Sequence, residues 1–171
     1  MARRITAETT LSPTATADAT NLVDNTYPHV IQGGSATQLV RIFEVSISGQ
    51  AASSSSPTFM LLSYDSQAGT GANTRGAGQT DTGTDPASAA LAAPTLTGNQ
   101  FATLKPQRSS TAHLANCSLN SFGGVYFWRA NKIEEAFAVL GNGNTTGEIS
   151  LSAFTGGTPG LLGSHMIYEA L

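Results

Sequence analysis

Apolar and polar residues alternate in short runs along this chain, and glycine, proline and serine punctuate the runs. In residues 39–48 (LVRIFEVSIS), Leu39, Phe43, Val45 and Ile47 share one face of an extended strand, and Glu44, Ser46 and Ser48 share the other. Arg41 breaks the pattern on the apolar face. Residues 58–65 (TFMLLSYD) are apolar on both sides, which predicts a central strand. Residues 113–121 and 125–130 (VYFWRA) predict two more strands around Phe122-Gly123-Gly124. Residues 135–140 and 148–154 flank Gly141-Asn142-Gly143-Asn144, a turn rich in residues that tolerate positive φ. In the second of these runs Ile149, Leu151 and Ala153 point inward, and Ser150 and Ser152 outward. A last run covers 164–171, and 21–31 adds one or two short strands that Pro28 confines to a sheet edge.

About eight strands with almost no helix, joined by Gly-rich turns and some long crossings, predict an all-β fold. The expected architecture is an antiparallel β-sandwich in jelly-roll-like order. Two segments stand apart from this pattern. Residues 1–20 are Thr/Ala-rich and bury too little apolar surface to offset the entropy of ordering, which predicts an extended N-terminal arm, loose alone and ordered by a neighbouring subunit. The single domain then spans 21–171, with a Gly/Thr/Ala-rich excursion at 66–100 that contains no aromatic residue. An excursion of that length implies a task or a partner. Within it Asp85 can cap, and Pro86 can open, one short helix over 85–91 that ends before Pro94.

Composition narrows the function. Asp, Glu, Lys and Arg make up 11% of the 171 residues, against about 25% in typical soluble domains. Ser, Thr, Gly and Ala take their place, giving a polar surface that is cheap to desolvate against a partner. The net charge is −3 and the basic residues are scattered, with Arg3-Arg4 the only adjacent pair, so no nucleic-acid footprint is present. There is no apolar run long enough to span a membrane and no secretory h-region, which predicts synthesis in the cytosol. Cys117 is the only cysteine and alternates with Leu119 as a small buried hydrophobe.

Reactive constellations are missing from the linear sequence. It contains no Walker A pattern and no G-x-S-x-G elbow. His29, His113 and His165 lack metal-ligand spacing, and the adjacent Glu134 and Glu135 would point to opposite faces of a strand. Asp81 and Asp85 have too few carboxylate neighbours for a calcium site. The reading is of a protein that is not an enzyme and has no cofactor and no metal. Tyr126, Phe127, Trp128 and Arg129 form the densest aromatic cluster. Phe127 is assigned to the core, while Tyr126, Trp128 and Arg129, with Arg3 and Arg4, are the candidate interface residues.

The segment from Gly147 through Phe154-Thr155-Gly156-Gly157-Thr158-Pro159-Gly160 to Glu169 resembles small virion proteins of tailed bacteriophages. So does Ser118-Leu119-Asn120-Ser121-Phe122-Gly123-Gly124 with the aromatic strand after it, and the similarity spans about residues 39–171. The resemblance implies a virion structural protein, a capsid decoration or cement β-sandwich that binds the major capsid protein or other virion proteins as a homo-oligomer, with a trimer favoured. The alternative is a receptor- or glycan-binding module of a tail or fibre, in which Trp128 or Tyr126 stacks on sugar.

Overall fold

A computed structural model of the chain describes residues 3–10, 29–33, 35–49, 57–69, 80–83, 95–97, 107–120, 122–141, 147–156 and 162–171. Among them the chain forms eleven strands: β1 (Arg3–Thr10), β2 (His29–Gln32), β3 (Leu39–Gly49), β4 (Pro57–Gln67), β5 (Thr80–Gly83), β6 (Thr95–Thr97), β7 (Gln107–Asn120), β8 (Val125–Arg129), β9 (Phe137–Leu140), β10 (Glu148–Gly156) and β11 (Leu162–Ala170). All pairings are antiparallel. One sheet, A, has the order β5-β1-β11-β3-β8, with β9 also on β3; the other, B, has the order β6-β2-β10-β4-β7.

The expected two-sheet all-β sandwich is the observed fold. Ile31, Met60, Leu62, Leu119, Ile149 and Leu151 of sheet B meet Val40, Ile42, Val45, Ile47, Val139, Leu162, Met166 and Tyr168 of sheet A in one buried cluster. The Tyr64 hydroxyl of β4 crosses between the sheets and donates to the Ala138 carbonyl of β9 at 2.7 Å. Successive strands alternate between the two sheets from β1 to β6, so none of these six pairs with the next one in the chain.

The anomaly at Arg41 is resolved by a β-bulge. Along β3 the partners step from Glu44↔Ile167 to Ile42↔Tyr168, leaving Phe43 unopposed. Val40 and Ile42 before the bulge and Val45 and Ile47 after it therefore all reach the core. Arg41 lies on the outer face, 3.4 Å from Glu169. Here β8, which pairs with 44–48, gives way to β9, which pairs with 39–42.

Two segments set apart in the sequence carry strands. Residues 3–10 of the expected arm form β1, hydrogen-bonded between β11 and β5. Backbone pairing, which needs no apolar side chain, holds this segment in the sheet. The 66–100 excursion contains β5 and β6, which extend the two sheets. The expected helix at 85–91 lies outside the described residues; among those described, the helical geometry is one 3₁₀ turn at Ile133–Glu135.

Candidate functional site

The outer face of sheet A is built by register. Ser46 of β3 is flanked by Phe127 of β8 on one side and His165 of β11 on the other. One step along, Glu44 is flanked by Arg129 and Ile167. Residues two apart on a strand share a face, so Ser46 and Glu44 both reach the His165 ring. Ser46 Oγ lies 2.7 Å from His165 Nδ1, and Glu44 Oε1 lies 2.9 Å from His165 Nε2. Arg129 Nε stands 3.9 Å from Glu44 Oε2. The arrangement has the residue types of an acid–base–nucleophile relay, which the spacing of Glu44, Ser46 and His165 in sequence does not announce.

Its surroundings are poor for acyl transfer. Strand β3 is paired on both sides along 44–48, so its amides are committed to sheet ladders and none is left to stabilise an oxyanion at Ser46. The cavity between the sheets, lined by Val45, Ile47, Met60, Leu62, Trp128 and Phe137 among others, has a volume of about 10 Å³, enough for about one water.

Beside the relay β8 presents apolar surface. Val125 is 72% exposed and Phe127 56%, with Phe122 exposed just before the strand. This inverts the expected parity of the aromatic strand. Phe127 points away from the core, while Tyr126 and Trp128 are half-buried and pack against it. Trp128 stacks on Phe137 with ring centroids 4.0 Å apart and an interplanar angle of 17°. Of the candidate interface residues, Arg129 is exposed on this face, and Tyr126 and Trp128 line its inner side. Arg3 and Arg4 lie on β1 opposite Glu169 and Tyr168, with two strands between β1 and β8.

A second polar cluster went unrecognised in the sequence. On the face of sheet B turned away from the core, Gln32, Glu148, Asp65 and Arg108 form a row across β2, β10, β4 and β7. All four are buried, as are Ser63, Ser150 and Ser152 on the same face. Ser150 and Ser152 thus point outward as expected but are not solvated. Arg108 Nη1 donates to Ser152 Oγ at 2.9 Å, and Ser150 Oγ donates to Asp65 Oδ1 at 2.6 Å. Gln32 Nε2 donates to Glu148 Oε2 at 3.0 Å. The available signal was Ser63, Asp65, Glu148, Ser150 and Ser152 at equal parity on two strands, which becomes a cluster only once β4 and β10 are neighbours.

The remaining candidates are ordinary. Glu134 and Glu135 are exposed, and Glu135 Oε2 accepts the Asn131 amide at 2.9 Å. Burial pushes the Cys117 thiol up to about 11, so at neutral pH it is not a thiolate nucleophile. Among the described residues, no three His, Cys, Asp or Glu side chains converge on a metal-sized position. Compared with protein families, curated proteins and solved structures, the chain gives no match.

Proposed function

We propose that this protein is a non-enzymatic virion structural protein, a capsid decoration or cement protein that stabilises the head by binding neighbouring capsid subunits. The observation that carries the reading is the exposed apolar surface of β8, where Val125 and Phe127 stand beside Arg129 at an edge of sheet A. Aromatic and arginine side chains concentrate binding energy at protein interfaces. Burying a Phe or Val side chain contributes about 1.5–3 kcal/mol. Two further features support it: the chain is only 11% charged, and rigid strands hold the apolar surface in place. The order β1-β11-β3-β8 in one sheet and β2-β10-β4-β7 in the other supports the jelly-roll part of this reading. The resemblance of residues 39–171 to phage virion proteins supplies the partner class, the major capsid protein, and favours a trimer. Many weak copies on a symmetric shell then act multivalently.

The sugar-binding alternative loses ground at Trp128, whose ring is stacked on Phe137 instead of offered to solvent. The test is Phe127→Asp, added to particles stripped of the native protein and counted by cryo-microscopy. The expected result is a folded variant with at least a tenfold loss of occupancy at limiting concentration, about 1.4 kcal/mol per contact. Full occupancy by the variant removes β8 from docking, and a native protein absent from particles removes the virion role.

A further inference from the structure

The buried row of sheet B poses a problem of charge. Asp65 and Glu148 are both fully buried, and the pairing of Ile149 with Tyr64 brings the two carboxyl groups side by side. Asp65 Oδ1 takes the Ser150 hydroxyl, but Asp65 Oδ2 has no hydrogen-bond donor if both groups are ionised. Glu148 accepts from Gln32 Nε2 at 3.0 Å and from the Gly69 amide at 3.1 and 3.3 Å. Among the described residues, the elements around the pair present Gln32 from β2, Ser63 from β4, Ser150 and Ser152 from β10, Gly69 from the segment after β4 and Arg108 from β7. Of these only Arg108 carries charge. One guanidinium balances one carboxylate. A second ionised carboxylate would find no compensating charge among the described residues and would lie in contact with its like, which costs several kcal/mol in a protein interior.

We infer that Asp65 and Glu148 hold a proton between them as a structural part of sheet B, the Glu148 hydroxyl donating to Asp65 Oδ2, and that base, by removing it, sets two carboxylates against each other and loosens β4 from β10. The proton gives Asp65 Oδ2 its missing donor and leaves Arg108 matched with a single negative charge. The remaining Glu148 oxygen capacity is filled by Gln32 and Gly69, so Glu148 ties β2, β10, β4 and the segment after β4 through one carboxyl group. The titration behaviour agrees in direction. Burial pushes the Asp65 carboxyl from 3.8 to about 7, against the pull of Arg108 and Ser150. Burial, with the Asp65 charge beside it, pushes Glu148 well above its ordinary range.

The sign follows from linkage. Both folded-state values are raised, so above the usual carboxylate range the folded pair holds a proton that the unfolded chain has lost. Stability is therefore greatest at acid pH and falls as pH rises, with the folding equilibrium constant dropping up to tenfold per pH unit for each proton of difference.

The experiment is infrared spectroscopy of the intact protein with urea unfolding from about pH 5 to 9, on wild type, Glu148→Gln and Asp65→Asn. The wild type should show a protonated-carboxyl stretch at neutral pH, lost in Glu148→Gln, and exchange of the amides that pair β4 with β10 around Ile149 and Tyr64 should accelerate as the stretch disappears with base. Glu148→Gln keeps a donor toward Asp65 and should flatten the pH dependence. Should that variant fail to fold, the wild-type band and the Asp65→Asn titration decide alone. A wild type with no protonated-carboxyl band at neutral pH, or with stability rising across that range, overturns the inference.

Discussion

Ser46, His165 and Glu44 show how far side-chain proximity falls short of catalysis. The distances of 2.7 and 2.9 Å suit proton transfer, yet the residues sit on a flat sheet face whose amides are already hydrogen-bonded. Nucleophilic catalysis needs donors aimed at the developing oxyanion. The contact is therefore read as a cross-strand tether between β3 and β11. A fluorophosphonate probe is expected to leave Ser46 unlabelled, and Ser46→Ala is expected to cost about 1 kcal/mol in urea unfolding, the ordinary value of one hydrogen bond. Labelling that disappears in His165→Ala would make the relay a reactive site. Gly33 shows an opposite kind of constraint: a Cβ there would lie 2.3 Å from the Gly141 carbonyl oxygen, so the bond from the Gly33 amide to that oxygen requires glycine.

At the scale of elements, β1 and β3 carry the lessons. Strand β1 shields β11 on one side, while β3 shields it on the other. Removing residues 1–10 would bare a ladder along β11 from Leu162 to Glu169. Unpaired strand edges recruit other chains. The truncated protein is expected to unfold at lower temperature and to associate or aggregate in size-exclusion chromatography. A truncated protein that stays monodisperse with an unchanged melting temperature would show that β1 contributes only cover. In β3 the bulge at Phe43 lets one strand keep Val40, Ile42, Val45 and Ile47 on the same side, which strict alternation forbids. The bulge is why Arg41 lies on the outer face, beside Glu169, instead of in the core.

At the scale of the whole molecule, every sheet depends on pairing between distant segments. Strand β1 pairs with β11, and β2 with β10, so neither sheet is complete before the C-terminal strands are in place. Non-local pairing delays the reward for loop closure. Refolding from urea, followed by Trp128 fluorescence in stopped flow, is expected to take milliseconds to seconds. Microsecond refolding would contradict the dominance of these pairings. The same topology leaves the two outer faces in different chemical states: sheet A exposes Phe127 and Val125, while sheet B buries its row of charges. The proposed docking surface and the proposed proton-sharing pair thus fall on opposite sides of one core.

The chain's own alternation determined that it would be a two-sheet β protein. It placed Ile149 and Leu151 inward, marked β4 as central, and set turns at Gly123 and Gly141, both at positive φ. These features depend on residues a few positions apart, where the period of two and the freedom of glycine act directly. Tertiary structure alone decided the parity of Tyr126, Phe127 and Trp128, the sheet position of residues 3–10, and the meeting of Asp65 with Glu148. A strand with bulky, largely apolar side chains on both faces, as at residues 125–128, can face either way until a partner fixes its register. A Thr-rich segment can join a sheet through its backbone alone. Two carboxylates 83 positions apart come to share a surrounding only when β4 and β10 lie side by side.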